Sequence, residues 1–544
     1  MNKKWWKEAV VYQVYWRSYK DSDGDGYGDL QGIIDKLDYI EKLGVDVIWI
    51  NPFYESPDMD NGYDISDYYS IIKKAGTMSD FEELLEQAHK RKLKVIMDLV
   101  VNHTSDQHPW FIESRSSKDN PKRDWYIWRD SKEGRAPNNW RSYFTPSAWE
   151  HDDVTGQYYL HSFATEQPDL NWENPEVREA IFEMMRFWLE KGIDGFRMDV
   201  INLLAKQKGF PDAENPEQIN YLANNPGIHD YLQEMNQKVL RHYDILTVGE
   251  IPFVTPEDGL NYVREDRNEL KTLFHFEVAD DMPGWDMLRY KEIQQRWHNV
   301  FYGKGWNSQF LNNHDHTRQV TRYGNDGEYR TESSKLLATM IHTLPGIPYV
   351  FQGEEIGMTG VRFESIEDYN DIAMKNKYTE EVEKGRDPDE VLKSLTLLSR
   401  DNSRTPMQWN DSAHAGFTTG TPWINMNANY KEINVKNDLE DPNSIFRYYQ
   451  KLIALRKENS VMIYGDYHDL SRDDVKLYMY IRSYEGKRWL IILNHSDDTL
   501  VCPEVKGLEE ANKKLMIANY GDVTREEPIQ KAILRPHEAR VYEM

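Results

Sequence analysis

Residues 80–103 read DFEELLEQAHKRKLKVIMDLVVNH. An amphipathic helical segment, Asp80 to Arg91, runs into a hydrophobic strand, Val95 to Leu99, which carries Asp98 and delivers Asn102-His103 directly behind it. The same construction recurs outward along the chain. Strand-like runs end in chemically able groups at Gly195-Phe196-Arg197-Met198-Asp199, Thr247-Val248-Gly249-Glu250, Phe310-Leu311-Asn312-Asn313-His314-Asp315 and Val350-Phe351-Gln352-Gly353-Glu354-Glu355. Ordinary strands end in turn residues, so five such ends point several strands at one shared site. The chain reads as an enzyme.

Further strands are expected at Val10 to Tyr15, Val47 to Ile50, Leu273 to Phe276, Ser308 to Leu311 and Tyr349 to Phe351, with helical patterns between, among them Leu30 to Leu43, Asn174 to Lys191, Gly227 to His242 and Thr331 to Thr343. Eight strand and helix alternations predict a parallel (β/α)8 TIM barrel with its site at the C-terminal rim. Two interruptions break the rhythm. A Trp, Pro and Asn rich stretch after strand three forms an inserted domain over 104–173, and an acidic helical insertion lies at about 363–399. The barrel itself is expected over 1–103 and 174–465. Beyond it, Val475 to Ser483, a turn at Tyr484-Glu485-Gly486-Lys487 and Arg488 to Leu493 read as a hairpin, which predicts a C-terminal antiparallel β-sandwich domain over 466–544.

A length of 544 residues allows one large core with satellites. The net charge of −26 lacks the basic surface that a phosphate backbone requires, so no nucleic acid partner is expected. The single cysteine, Cys502, forms no internal disulfide, and no run approaches the ~20 apolar residues of a membrane span. A monomer in the cytoplasm is the expectation.

Residues two apart on a strand face the same way, so Arg197 and Asp199 both point into the barrel mouth. The guanidinium is expected to keep Asp199 ionised, as a nucleophile requires. With Glu250 and Asp315 on the same rim, like charges raise one carboxyl toward neutrality and make it a proton donor. Two such carboxyls and a stabilising third are the equipment of retaining glycoside hydrolysis, with His103, His314 and Asp60 as candidates for bonds to the ring hydroxyls. An isolated Asp behind a strand is ordinarily a helix cap, but capping does not account for five such ends at once.

Asp98 to His103, Gly195 to Asp199, Glu250 and His314-Asp315 resemble the four signature regions of the α-amylase superfamily, and Gln167-Pro168-Asp169-Leu170-Asn171 resembles the motif of its oligo-1,6-glucosidase subfamily. The resemblance runs from Trp5 into the C-terminal domain. It implies a glycoside hydrolase with Asp199 as nucleophile, Glu250 as acid/base and Asp315 as transition-state stabiliser. Asp60, Tyr63, His103, Gln167, Arg197, His314 and Arg400 match the residues that hold the terminal glucose, and an Asp60–Arg400 grip makes such a pocket blind and the enzyme exo-acting. Val200, behind the nucleophile, accompanies α-1,6 preference in that subfamily. Phe144 and Phe163 are read either as pocket lining or as core.

Asp21-Ser22-Asp23-Gly24-Asp25-Gly26-Tyr27-Gly28-Asp29 opens like a calcium loop but has Gly32 where an EF-hand closes with glutamate. The resemblance implies a structural Ca2+ (Mg2+ being the alternative) on Asp21, Asp23, Asp25, Asp29 and the Tyr27 carbonyl, and no organic cofactor. The expected substrates are isomaltose, isomalto-oligosaccharides and panose. Rival activities are an α-1,4-glucosidase, a trehalose-6-phosphate hydrolase and a sucrose isomerase, and a non-catalytic transporter partner is the contrasting class. Lys206 and Lys208 read as ordinary loop lysines, which speaks against a phosphorylated substrate.

Overall fold

The computed structural model describes residues 3–505, 513–524 and 528–544. Eight parallel strands form its centre: β1 (Val11–Val14), β2 (Val47–Ile50), β3 (Lys94–Leu99), β4 (Gly195–Met198), β5 (Leu246–Glu250), β6 (Thr272–Phe274), β7 (Ser308–Gln309) and β8 (Ile347–Phe351). They pair in the order β6-β5-β4-β3-β2-β1-β8-β7, and a parallel bridge from Leu273 to Asn307 joins the two free ends. The ring is a TIM barrel.

Strand alternation sorts the side chains. Val11, Trp49, Ile96, Val248, Phe274 and Tyr349 pack together inside the ring, whereas Tyr12, Ile48, Val95, Met97, Phe196 and Met198 face the helices. The inward series turns polar at its C-terminal end: Ile96 is followed by Asp98, Gly195 by Arg197, and Val248 by Glu250. The barrel therefore has an apolar floor and a charged top. Gly195 (φ +149) lets β4 and β5 approach closely, since a Cβ there would lie 1.8 Å from the Leu246 carbonyl oxygen.

The helices start where the sequence supplies caps. Thr77 and Asp80 form a reciprocal capping box on Met78–Lys90. Asn174 caps Pro175–Lys191, which ends at left-handed Gly192. The expected helix Leu30 to Leu43 is instead two, Leu30–Ile34 and Leu37–Leu43, with Asp29 accepting the Gly32 N–H at the first start and Asp35-Lys36 between them. Strand β7 is shorter than expected, because beyond Gln309 the chain leaves the ladder and turns back through a bridge between Asn313 and His316.

After β3 the chain leaves the ring through the helix Pro109–Ser116 and a three-stranded antiparallel sheet, in which Gln157–Leu160 lies between Trp128–Asp130 and Trp149–Asp152. A bridge of His103 to Asp169 fastens this excursion to the barrel mouth, and one of Tyr126 to Leu170 closes it on itself. Helices Ile372–Glu383 and Pro388–Thr396 follow β8. The C-terminal region is an antiparallel sheet of β9 (Asp466–Asp469), β10 (Leu477–Tyr484), β11 (Lys487–Asn494), β12 (Lys514–Ala518) and β13 (Ala539–Glu543), in the order β9-β10-β11-β13-β12. Its hairpin turn is just Glu485-Gly486, both at positive φ. One face, with Tyr478 and Tyr480, packs on the barrel cluster; the other, with Leu477 and Met479, packs under the paired strands Leu500–Val501 and Ile533–Leu534. No helix among the described residues is long and apolar enough to cross a membrane.

Candidate active site

Arg197 organises the top of the barrel. Its Nη1 donates to Asp98 Oδ1 at 2.7 Å and to Asp199 Oδ1 at 2.6 Å, and its Nη2 donates to Glu250 Oε2 at 2.5 Å. Asp98 is held from behind by Trp49 Nε1 at 2.9 Å. One guanidinium thus bridges Asp98, Asp199 and Glu250.

Charge follows from this geometry. Burial raises the Asp199 carboxyl well above the usual range, and Glu250 and Asp98 add to the rise against the lowering pull of Arg197. Arg197 pulls the Asp199 carboxyl down, in the expected direction, but one cation is divided among three carboxylates and burial works against it.

Asp315 is the opposite case. Burial opposes its ionisation, but His314, Arg404 and Arg400 outweigh burial and hold the carboxyl well below its usual range. His314 Nε2 lies 2.9 Å from Asp315 Oδ2, and Arg404 Nη2 donates to Oδ1 at 2.7 Å. His314 is itself fixed between Gln13 at 2.9 Å and the Tyr63 hydroxyl at 2.7 Å.

Asp60 and Arg400 pair within the lining, 3.2 Å apart. Gln167 Nε2 reaches Asp60 at 3.3 Å and His103 Nε2 at 3.2 Å. Asp371 accepts from Arg400 Nε at 2.8 Å, and the Arg400 guanidinium lies over the Phe144 ring. Burial lowers the pKa of His103, so its imidazole is neutral at pH 7.

An open cavity of about 240 Å³ brings together Asp60, Tyr63, His103, Phe144, Phe163, Asp199, Val200, Glu250, Asp315 and Arg400. Gln167, Arg197 and His314 stand behind this lining, fully buried, and act on it through the bonds just given. Phe163 belongs both to the lining and to the hydrophobic core of the excursion. Val200 takes a left-handed conformation (φ +35, ψ +43), which is strained for a β-branched residue, and its N–H donates to Glu250 Oε2 at 3.1 Å.

Several participants escaped the sequence reading. Tyr143, Pro252, Phe276, Asp280 and His316 complete the lining, and Asp371 and Arg404 support Arg400 and Asp315. Neither sits at a strand end, so the signal that found the carboxylates was silent for them. Lys206 is no ordinary loop lysine. It is buried, with Nζ 2.6 Å from Asp169 Oδ2 and 2.8 Å from Asn102 Oδ1, pinning the excursion to the strand that leads to His103.

In the Asp21–Asp29 loop, carboxylate oxygens of Asp21, Asp23 and Asp29 lie within 4.8 Å of one another. Asp25 stands outside that group, and its Oδ1 accepts the Tyr27 N–H at 2.8 Å. Asp21 takes N–H groups of Asp23, Gly24 and Gly26 and the Thr418 hydroxyl. Three hard oxygen donors around one point suit a hard divalent cation.

Residues 13–465 match the α-amylase catalytic domain family. The chain is 54% identical to the oligo-1,6-glucosidase of Parageobacillus thermoglucosidasius over the whole of both chains. Its backbone superposes on the trehalose-6-phosphate hydrolase of Bacillus licheniformis with a TM-score of 0.95, at 47% identity over 99% of this chain and 100% of that one. The isomaltulose synthase of Erwinia rhapontici NX5 gives 0.96 at 43% identity, over 100% of this chain and 99% of the other. With the barrel, the shared guanidinium and these likenesses in hand, the chain belongs to the α-amylase family and is a glycoside hydrolase.

Proposed function

We propose that the protein is a retaining, exo-acting α-glucosidase that releases glucose from the non-reducing end of short α-glucosides and prefers α-1,6 linkages, as in isomaltose, isomalto-oligosaccharides and panose. The observation that carries this reading is the division of Arg197 among Asp98, Asp199 and Glu250 at a cavity whose lining pairs Asp60 with Arg400. Glu250 protonates the glycosidic oxygen while Asp199 attacks the anomeric carbon; the C–O bond to the leaving sugar breaks and a covalent glucosyl ester forms. Glu250, now ionised, takes a proton from the incoming water, which opens the ester and regenerates Asp199. Arg197 stabilises the Asp199 anion as it attacks. Ionised Asp315 stabilises the positive charge that develops on the sugar ring.

Asp60, Arg400, His103, Gln167 and His314 form the subsite for the terminal glucose, and a wall behind its non-reducing end limits cleavage to one unit. Val200 stands at the leaving-group side and favours the α-1,6 bond. Arg400, the one arginine or lysine in the lining, is paired to Asp60, while Asp280 and Glu250 add further carboxyls to it. An uncharged leaving sugar suits this arrangement better than a phosphorylated one. The relatives named oligo-1,6-glucosidase support this reading.

The loop of Asp21, Asp23 and Asp29, with Asp25 and the Tyr27 carbonyl, would hold a structural Ca2+ or Mg2+, which ties the strand β1 loop to Thr418. We read the chain as a cytoplasmic monomer with a barrel over 1–103 and 174–465, an inserted domain over 104–173 and a C-terminal domain over 466–544. The deciding experiment compares glucose release from isomaltose, maltose, sucrose and trehalose-6-phosphate. Isomaltose is expected to be cleaved fastest; equal rates on isomaltose and maltose would refute the linkage assignment, and faster cleavage of trehalose-6-phosphate would move the protein to the phosphorylated substrate.

A further inference from the structure

Phe253 combines two costs that a folded chain ordinarily avoids. Its backbone lies in the left-handed region (φ +55), which a bulky side chain rarely adopts, and its ring is 44% exposed. The turn that holds it is fixed by polar side chains, of which Asn202 is buried. Asn202 Nδ2 donates to the Pro252 carbonyl at 2.8 Å and Asn224 Nδ2 to the Phe253 carbonyl at 2.9 Å; Asn202 Nδ2 and the Tyr262 hydroxyl also donate to Asn224 Oδ1, at 3.0 and 2.8 Å. Strain kept in place by so many partners marks a functional constraint more often than an accident.

The ring's position gives that constraint a meaning. Phe253 follows Glu250 by three residues, and Pro252 between them lines the cavity. Three rings form a row. Phe163 packs beside His103 at 5.1 Å, Tyr143 stacks on Phe163 at 4.8 Å with a 10° interplanar angle, and Phe253 lies roughly parallel to Tyr143 at 6.4 Å and 29°. Phe163 and Tyr143 line the cavity, Phe163 is buried and Phe253 is exposed, so the row leads from the lining toward solvent. A glucosyl unit presents apolar C–H faces, and an exposed flat ring is the group that recognises them without regard to linkage.

We infer that Phe253 is an outer sugar platform, stacking on the second glucosyl unit beyond the cleaved bond and so setting the preference for trisaccharides over disaccharides. This rests on the exo-α-glucosidase reading above. The residue touches leaving-group sugar only, so it acts on substrates long enough to reach it.

The test measures kcat/KM for isomaltose and isomaltotriose, and for maltose and maltotriose, in the unaltered protein and in Phe253→Ala, Phe253→Gly and Phe253→Tyr. Alanine and glycine are expected to lower the trisaccharide-to-disaccharide ratio about fivefold (~1 kcal/mol) with the disaccharide constants changed less than twofold, while tyrosine keeps the ratio. Glycine accepts the left-handed backbone without strain, so an unchanged or raised melting temperature in that variant separates loss of the ring from loss of the fold. A ratio that moves less than twofold in both the alanine and glycine variants overturns the platform. If the unaltered protein releases glucose from neither series, the α-glucosidase reading itself fails, and the platform with it.

Discussion

Replacing Val200 separates specificity from stability, and the structure lets both be sized. The residue is 7% exposed, packs with Leu203, Leu222 and Phe163, and presents its remaining surface to the cavity. In Val200→Ala two methyl groups leave a buried site, which costs about 1.6 kcal/mol at ~0.8 kcal/mol each. The left-handed backbone, strained by about 1–3 kcal/mol for a β-branched residue, relaxes in part when the branch is removed. The net loss is about 1 kcal/mol, a melting shift of no more than ~2–4 °C for a chain of this size. The N–H that holds Glu250 is a backbone group and survives the substitution. Specificity has no such compensation. Methyl groups in a wall discriminate by about 1–3 kcal/mol, so the ratio of kcat/KM for isomaltose to that for maltose should fall about tenfold. Val200→Thr keeps the volume but offers a hydroxyl, and should narrow the ratio as well. Initial rates of glucose release on both disaccharides, with melting curves on the same samples, are the assay. A ratio unchanged within twofold in both variants would remove Val200 from the leaving-group wall.

Asp199→Asn should reduce turnover by at least ~10⁴-fold while raising or preserving the melting temperature at pH 7, because the buried carboxyl that Glu250 and Asp98 repel is gone; substantial residual activity would move the nucleophile elsewhere. Glu354, pushed up to about 8 by burial with Glu355 beside it, is protonated in the folded state where the unfolded chain has it ionised. Its contribution to stability is therefore complete below about pH 4.5 and is lost as pH rises toward 8. Relative to the unaltered protein, Glu354→Gln should gain stability between about pH 5 and 8, by up to a few kcal/mol, and then hold constant; a pH-independent difference in denaturant midpoints contradicts this. Chelation should lower the melting temperature and leave the rate at 25 °C intact, with Ca2+ restoring the loss and Asp21→Ala abolishing the response; a metal-insensitive melt would leave the Asp21–Asp29 loop as a plain acidic turn.

Much of this protein is readable from local pattern. A strand period between helix periods, repeated eight times, dictates a ring of parallel strands, and hydrophobic runs that end in Asp98, Asp199, Glu250 and Asp315 dictate a charged rim, because an inward-facing strand residue has nowhere else to go. Helix boundaries at Thr77 and Asn174 are likewise written in adjacent residues. What pattern leaves open is how charge is divided and what is pressed against what. Arg197 beside Asp199 reads as an ion pair, but Asp98 and Glu250 claim the same guanidinium from strands that stand 99 and 53 residues away. Lys206 reads as solvated until Asp169 and Asn102 enclose it. Arg404, Asp371 and the strained ring of Phe253 carry no local signature at all. Tertiary structure decides these because electrostatics and stacking depend on separations of a few ångströms between residues remote in the chain, a distance that the order of amino acids constrains only after the whole barrel has closed.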